Sequence, residues 1–179
     1  ELLADLRSQH PHWTQFVWDI WIRRVGPLWP LAGRIASLPF LPGGSSLETA
    51  RALLPQETAA PWGRIKPAVQ VGVGTPVAVF AGCTARNARP GWIARAETLL
   101  RRWGYVVLDG GGFTCCGGTL HHAGLFAAQA EVRRRNIERW RDMGRPVIAA
   151  FCASCKHGLD AYAEEGGMEP EEAALWKRQ

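Results

Sequence analysis

The sequence predicts an α/β fold, a parallel sheet covered by helices and preceded by a helical extension rich in Trp and Pro. Three observations carry this. Short apolar runs at 76–81, 105–108 and 146–151 alternate with stretches of helical spacing. Gly82, Gly104 and Gly110 bound the runs as turn residues do. All of this alternation falls after residue 75. Strand, helix, strand, helix, strand, helix implies parallel strands joined by right-handed crossovers, a Rossmann-like arrangement. The near-continuous apolar character of the runs suits a sheet covered on both faces.

In chain order, residues 1–75 read as a helical and extended connector. The numbering opens inside what looks like a helix, so the chain is expected to be a piece of a longer protein. Trp13, Trp18, Trp21 and Trp29 lie here with Pro39, Pro42, Pro55, Pro61 and Pro67. Segments 13–24, 27–38 and 47–54 can each form a short helix, and Ser46 is placed to cap the third. Residues 55–75 hold no sustained period and read as an extended connector. Trp18, Trp21 and Ile22 share a helical face beside Arg23 and Arg24. That leaves two readings of the segment: it packs on the α/β part, or it makes a peripheral membrane contact.

Residues 76–179 read as the α/β domain. The first run, 76–81, ends at Gly82; helical spacing continues over 90–103 through Ile93, Ala96, Leu99 and Leu100. The second run, 105–108, leads into a Gly-rich loop. A long helix is expected from about Leu120 to Met143, with Phe126, Ala130, Ile137 and Trp140 buried. The third run, 146–151, leads into a helix over 153–164 that Gly166 and Gly167 end.

Composition excludes some functions. The net charge is +5 and the pI about 9.3. Yet Arg133, Arg134, Arg135, Arg139 and Arg141 are interleaved with Glu131 and Glu138, as on a solvated helix face. No nucleic-acid reading motif is present, and no nucleic-acid partner is expected. No run approaches the roughly 18 apolar residues of a spanning helix. Arg23 and Arg24 interrupt the most apolar region, and Pro27 and Pro30 break the stretch after it. All five cysteines lie between residues 83 and 155. An odd, clustered set in a large domain points to metal or redox chemistry in a reducing compartment, so the expected location is cytoplasmic.

Cys83 directly follows the first run, Cys115 and Cys116 lie in the loop after the second, and Cys152 follows the third. Cys155 is one helical turn further on. In a parallel sheet all strands share a carboxyl edge, so these residues converge there. Cys152-Ala153-Ser154-Cys155 is a C-x-x-C grip at a helix N-terminus, whose partial positive charge favours thiolates. Gly110, Gly111, Gly112, Gly117 and Gly118 around Cys115-Cys116, and Gly82 before Cys83, let backbone approach a bulky group. Tetrahedral zinc and a cubane cluster each take four ligands, leaving a fifth cysteine idle. The adjacent pair could instead serve separate irons of a larger, open cluster. Zinc, a thioredoxin-like C-x-x-C and inert buried thiols stay open at this point. His121 and His122 either sit near such a centre or occupy the start of the long helix. His157 reads as exposed, Lys156 as solvated, and Ser154 as a helix cap or a donor to a cluster sulfur.

The pattern Cys83, Cys115-Cys116-Gly117, Cys152-x-x-Cys155 resembles the cysteine-rich, or CCG, domain over roughly residues 76–165. That domain occurs in heterodisulfide reductase subunits B and D. It also occurs in the iron–sulfur subunits of glycolate, lactate and anaerobic glycerol-3-phosphate dehydrogenases. The resemblance implies a noncubane [4Fe–4S] cluster ligated by Cys83, Cys115, Cys116, Cys152 and Cys155. It implies an electron-transfer part of an oxidoreductase, with no catalytic residue of its own. Its partners would be a flavin-containing dehydrogenase subunit and a ferredoxin-like domain or subunit, placing it in the cytoplasm or at the inner face of the membrane. The run from Cys116 through His121 and His122 leans toward the glycolate or lactate type. Family members usually carry two such motifs and a ferredoxin pattern, whereas this sequence holds one motif. The rival expectation is a zinc-stabilised interaction module.

Overall fold

Pro76–Phe80 (β1) is the middle strand of a three-stranded parallel sheet in the computed structural model, which describes residues 2–41, 43–54, 71–150 and 152–178. Val106–Leu108 (β2) pairs along one side and Val147–Ala150 (β3) along the other. Val77 is in register with both Val107 and Val147. From β1 the chain moves to one side to make β2, then returns past β1 to make β3. The crevice outside the carboxyl ends of β1 and β3 is therefore the switch point, where such sheets build their sites.

Only the middle strand has both faces covered. Val77, Ala78, Val79 and Phe80 are buried, whereas Val106 and Val147 on the outer strands stay exposed. The expectation of a fully covered sheet thus holds for β1 alone. A three-stranded sheet has two edge strands, and each leaves one side open. The last residue of the third expected strand, Phe151, lies outside the described residues.

Two helices, Gly82–Ala88 (α5) and Pro90–Arg102 (α6), connect β1 to β2. The second matches the expected segment, with Pro90 in its first turn, where its missing N–H costs nothing. The first was not legible, being too short to show a period. The expected long helix is two: Gly118–His122 (α7) and Phe126–Asp142 (α8). Gly124 breaks them at φ +77°, and a Cβ there would lie 2.6 Å from the amide nitrogen of Ser8. A glycine that tight against another backbone cannot continue a helix. On α8 the buried residues are Gln129, Val132, Asn136, Ile137 and Trp140, while Phe126 and Ala130 are only half-buried.

Ala153–Asp160 (α9) follows β3 and passes into a 3-10 turn over Ala161–Ala163. A further helix, Pro170–Lys177 (α10), has a start signal in Glu169-Pro170-Glu171-Glu172: proline and acids in the first turn and a capping box. It seats Trp176 in the core. That ring meets Trp140 edge-on at 5.0 Å and stacks on Tyr162 at 5.7 Å. The indole N–H groups of Trp140 and Trp176 donate to the carbonyls of Pro146 and Leu159, so burying these rings leaves no donor unpaired.

Ahead of the sheet lie Leu2–Gln9 (α1), Trp13–Arg23 (α2), Trp29–Ala36 (α3) and Ser45–Arg51 (α4). Gly44, not Ser46, holds the N-cap position of α4, so the helix starts earlier than expected. The connector expected over 55–75 falls largely outside the described residues. The extension packs on the α/β part through α1 and α2 against α7, and α3 against α5. Trp29 is buried and stacks on Trp21 at 5.4 Å. Trp13, Phe16, Val17 and Trp18 remain exposed. Among the described residues no helix is long and apolar enough to cross a membrane.

One ion-pair group secures the C-terminal turn. Glu172 accepts from Arg141 Nε at 3.0 Å and from Arg145 Nη2 at 2.8 Å, and takes the Glu169 amide at 3.2 Å. The Arg141 guanidinium first, then Arg145, hold its carboxyl down at about 2, against the cost of burial. The folded pKa is below the unfolded value. The stabilisation is therefore full above about pH 4.3 and is lost as pH falls through about 2. Both arginine side chains are about a third or more exposed, so solvent screening cuts the contribution to about 1–2 kcal/mol. Glu172→Gln should lower the urea-unfolding free energy by that amount at neutral pH. Its gap to the parent chain should close as the medium is acidified below about pH 4.

Candidate metal centre

Three chain reversals at the carboxyl edge build the site. β1 ends at Phe80, and Cys83 lies in the first turn of α5. Gly82 makes that reversal with φ +68°, and a Cβ on it would lie 2.7 Å from Cys155 Sγ. Glycine is therefore required twice over, by backbone and by space.

The reversal after β2 is a loop held from both sides. Asp109 accepts the Gly111 amide at 2.8 Å, and Arg139 of α8 donates to the Gly111 and Asp109 carbonyls at 2.7 and 3.1 Å. Arg86 of α5 donates to the Phe113 carbonyl. Phe113 packs on Phe80 at 5.3 Å, which anchors the loop to the central strand. Cys115 and Cys116 come next, and Gly117, at φ +89°, opens α7.

A buried polar clamp fixes the two adjacent cysteines. Asn136 is fully buried on α8; its Oδ1 accepts the Thr114 amide at 2.9 Å. Its Nδ2 donates to the Cys115 carbonyl at 2.9 Å and to the Tyr162 hydroxyl at 2.8 Å. Tyr162 in turn donates to the Cys116 carbonyl at 2.9 Å. Both peptide carbonyls of the pair are thus satisfied without water, and the backbone cannot drift. Burial pushes the Tyr162 phenol up, so it stays protonated as the donor this chain of bonds requires. Neither Asn136 nor Tyr162 was picked out from sequence. The available signal was an Asn at helical spacing from Val132, Ile137 and Trp140, since an amide demands partners when buried.

The third reversal puts Cys152 at the N-cap of α9 and Cys155 one turn in. All five thiols come together as a chain of sulfur contacts: Cys83 with Cys115, Cys115 with Cys116, Cys116 with Cys155, Cys155 with Cys152. Cys115, Cys116 and Cys155 are buried, Cys83 is half-buried and Cys152 exposed, and all are free thiols. The Gly117 amide donates to Cys115 Sγ at 3.4 Å, and Cys116 Sγ lies 4.0 Å from the Ser154 carbonyl. Hydrogen bonds from neighbouring thiols pull Cys83 and Cys116 down, Cys83 through Cys115 and Cys116 through Cys115 and Cys155. The donors Cys115 and Cys155 are pushed up by the same bonds.

The sequence-predicted residues beside the cysteines divide. His157 is exposed, and Lys156 pairs with Asp160 on the helix surface. Ser154 is not the cap of α9; Cys152 occupies that position and its side chain makes no cap bond. His121 and His122 sit at the end of α7 rather than at the start of a long helix. His121 is half-buried with its ring 5.3 Å from Phe126, and His122 is exposed.

Five soft sulfur donors suit a thiolate-bound metal or iron–sulfur centre. Glycine backbone comes close to the sulfurs: a Cβ on Gly158 would lie 3.2 Å from Cys116 Sγ, and Gly82 is tighter still. Among the described residues, no group of three or more Cys, His, Asp or Glu is arranged to hold a single ion. Residues 77–160 match the family described as cysteine-rich domain, CCG. No curated protein and no solved structure matches the chain.

Two sets of substitutions test this geometry in the metal-free chain. Gly82→Ala should cost about 2–4 kcal/mol and speed alkylation of Cys155, because its methyl meets sulfur as well as adopting positive φ. Gly74→Ala has φ +74° but open space around it, and should cost about 1 kcal/mol, leaving the thiols unchanged. Tyr162→Phe removes two buried bonds, the one from Asn136 Nδ2 and the one to the Cys116 carbonyl, and should cost about 1–3 kcal/mol by urea unfolding. Asn136→Leu strips the Thr114 amide and the Cys115 carbonyl of this partner and the Tyr162 hydroxyl of one of its two bonds, and should cost about 3 kcal/mol or more.

Proposed function

We propose, from the premise that residues 77–160 are a cysteine-rich domain of the CCG family, that the chain is an electron-transfer part of an oxidoreductase. Cys83, Cys115, Cys116, Cys152 and Cys155 would together hold one noncubane [4Fe–4S] cluster. The observation that carries this is the convergence of five free, mutually interacting thiols at one sheet edge, one more than a tetrahedral zinc or cubane site uses.

When bound, such a centre supplies one-electron redox chemistry. The chain's own residues do the rest. Cys115 and Cys116, locked through their carbonyls by Asn136 and Tyr162, hold their sulfurs at fixed places. The Gly117 amide aims its N–H at Cys115 Sγ, a contact that stabilises negative charge on sulfur and so bears on potential. Phe80, Phe113 and Leu120 pack against the buried thiols and keep water from that side. Cys152 is the exposed one of the five, which makes its side of the site the one open to an electron partner.

In this reading a flavin-bearing partner oxidises a 2-hydroxy acid to the 2-oxo acid, taking two electrons and two protons. The electrons then pass singly through this domain, by way of a ferredoxin-like domain or subunit, to a quinone or other acceptor. The chemistry at the substrate belongs to the partner, so none of this chain's residues is assigned a catalytic role.

Anaerobic iron and acid-labile sulfide analysis of the reconstituted chain should give about four of each per chain. A redox-dependent electron paramagnetic resonance signal should disappear in Cys115→Ser and in Cys116→Ser. Stoichiometric zinc without sulfide, under conditions where a cluster could assemble, would favour the interaction-module reading instead.

A further inference from the structure

A second site lies on the opposite end of α7 from the thiols. α1, α2 and α7 enclose a cleft of about 420 Å³ lined by Arg7, His10, His12, Thr14, Thr119 and His122, with Trp18 at one wall. The cleft is built, not incidental. Gln15 ties its three elements together, donating to the Arg7 carbonyl at 2.7 Å and the Ala123 carbonyl at 2.9 Å while accepting the His12 amide at 3.3 Å. Arg7 donates to the His122 carbonyl across the cleft. Behind it, Gly124 brings α1 into direct backbone contact.

Its charge is one-sided. One guanidinium and three imidazoles line it, and among the described residues no Asp or Glu does. Among the described residues none of Arg7, His10, His12 or His122 is in an ion pair, although most of the arginines on α8 are paired with carboxylates. His12 Nδ1 accepts from the Thr14 amide at 3.4 Å. The same nitrogen lies 3.0 Å from the Thr14 hydroxyl, so Thr14 engages Nδ1, and among the described residues Nε2 is the ring nitrogen left to meet a ligand. Among the described residues no hydrogen bond holds the His10 or the His122 imidazole, and the His122 ring meets the His121 ring edge-on at 5.8 Å. A guanidinium outside any ion pair among the described residues, with imidazole N–H donors from separate elements around one concavity, suits an anion with acceptor oxygens pointing in several directions.

We propose that this cleft binds a phosphate group. A tetrahedral phosphate presents oxygens to donors on all sides, whereas a carboxylate presents two in one plane. The volume leaves room for an organic remainder beyond the phosphate itself. Two sources share this chemistry: a free phosphorylated solute, or the headgroup of an anionic phospholipid. The second is raised by Trp13 and Phe16 on α2, about 70% exposed each.

The full chain, metal-free, is titrated with inorganic phosphate at constant ionic strength and constant pH, with chloride as the balancing anion. The imidazole carbon-bound protons are followed by NMR. Saturable shifts of His10, His12 and His122 with a dissociation constant of about 1 mM or tighter are expected. The double variant His10→Gln/His122→Gln, which leaves Arg7, Gln15 and their tying bonds intact, should bind about tenfold or more weakly. Shifts that fail to saturate and match those of added chloride would overturn the proposal, as would equal binding by the double variant. The source is read from a flotation assay with phosphatidylglycerol-containing and pure phosphatidylcholine vesicles. Flotation with the first alone, reversed by inorganic phosphate, assigns the headgroup; phosphate binding without flotation assigns a free solute. Because the readout uses neither iron nor sulfide, its failure would leave the electron-transfer reading untouched.

Discussion

Because β1 pairs in parallel with both β2 and β3, the chain must reverse three times along one edge of the sheet. Everything about the thiol site depends on where those reversals fall. Each one places cysteine in the loop or first helical turn after a strand, so side chains far apart in sequence meet at one edge. Had any strand run antiparallel, its reversal would have carried its cysteine to the opposite edge. Two of the strands are short and half-exposed, so the sheet does not hold itself. Its packing comes from α6 and α9 against the strands and from a buried cluster that joins Ala78 and Phe80 to Trp140, Tyr162 and Trp176.

That aromatic packing and the thiol site are one structure. Tyr162 stacks on Trp176 with its ring and holds the Cys116 carbonyl with its hydroxyl. Asn136 lies on the same helix as Trp140 and links the Cys115 carbonyl to that hydroxyl. Unpaired, an amide at this depth would cost about 1–3 kcal/mol, so its retention in the core reflects the partners it was given. The outcome is a rigid floor beneath thiols whose own bonds are weak S–H contacts. Preorganised donors are what a site needs if its ligand is to bind without reordering the chain.

Much of this was legible in the sequence, and the gaps have physical causes. The strand ends, the shared edge and the convergence of Cys83, Cys115, Cys116, Cys152 and Cys155 come from apolar runs and parallel topology. The break in the long helix was hidden because Gly124 alone is tolerated inside many helices. What stops the helix there is α1 pressing on it, a tertiary contact that periodicity cannot register. The seven residues of α5 are too few to display a helical repeat. Asn136 and Tyr162 carry no motif, and their role exists only once α8 and the turn after α9 meet over the cysteine pair. The cleft beside His122 is likewise assembled from three helices, two of them far from α7 in sequence. The sequence offered His122 a place near the thiols or at the start of the long helix, whereas the fold sets it at the far end of the short α7.

The central claim is that five thiols act as one site, and thiol counting tests it most directly. Loaded and metal-free chains are alkylated under strictly anaerobic conditions and mapped by mass spectrometry. The account predicts that Cys83, Cys115, Cys116, Cys152 and Cys155 are all protected in the loaded chain and all labelled in the unfolded, metal-free one. A loaded chain in which any one of them still labels at its metal-free rate would contradict it.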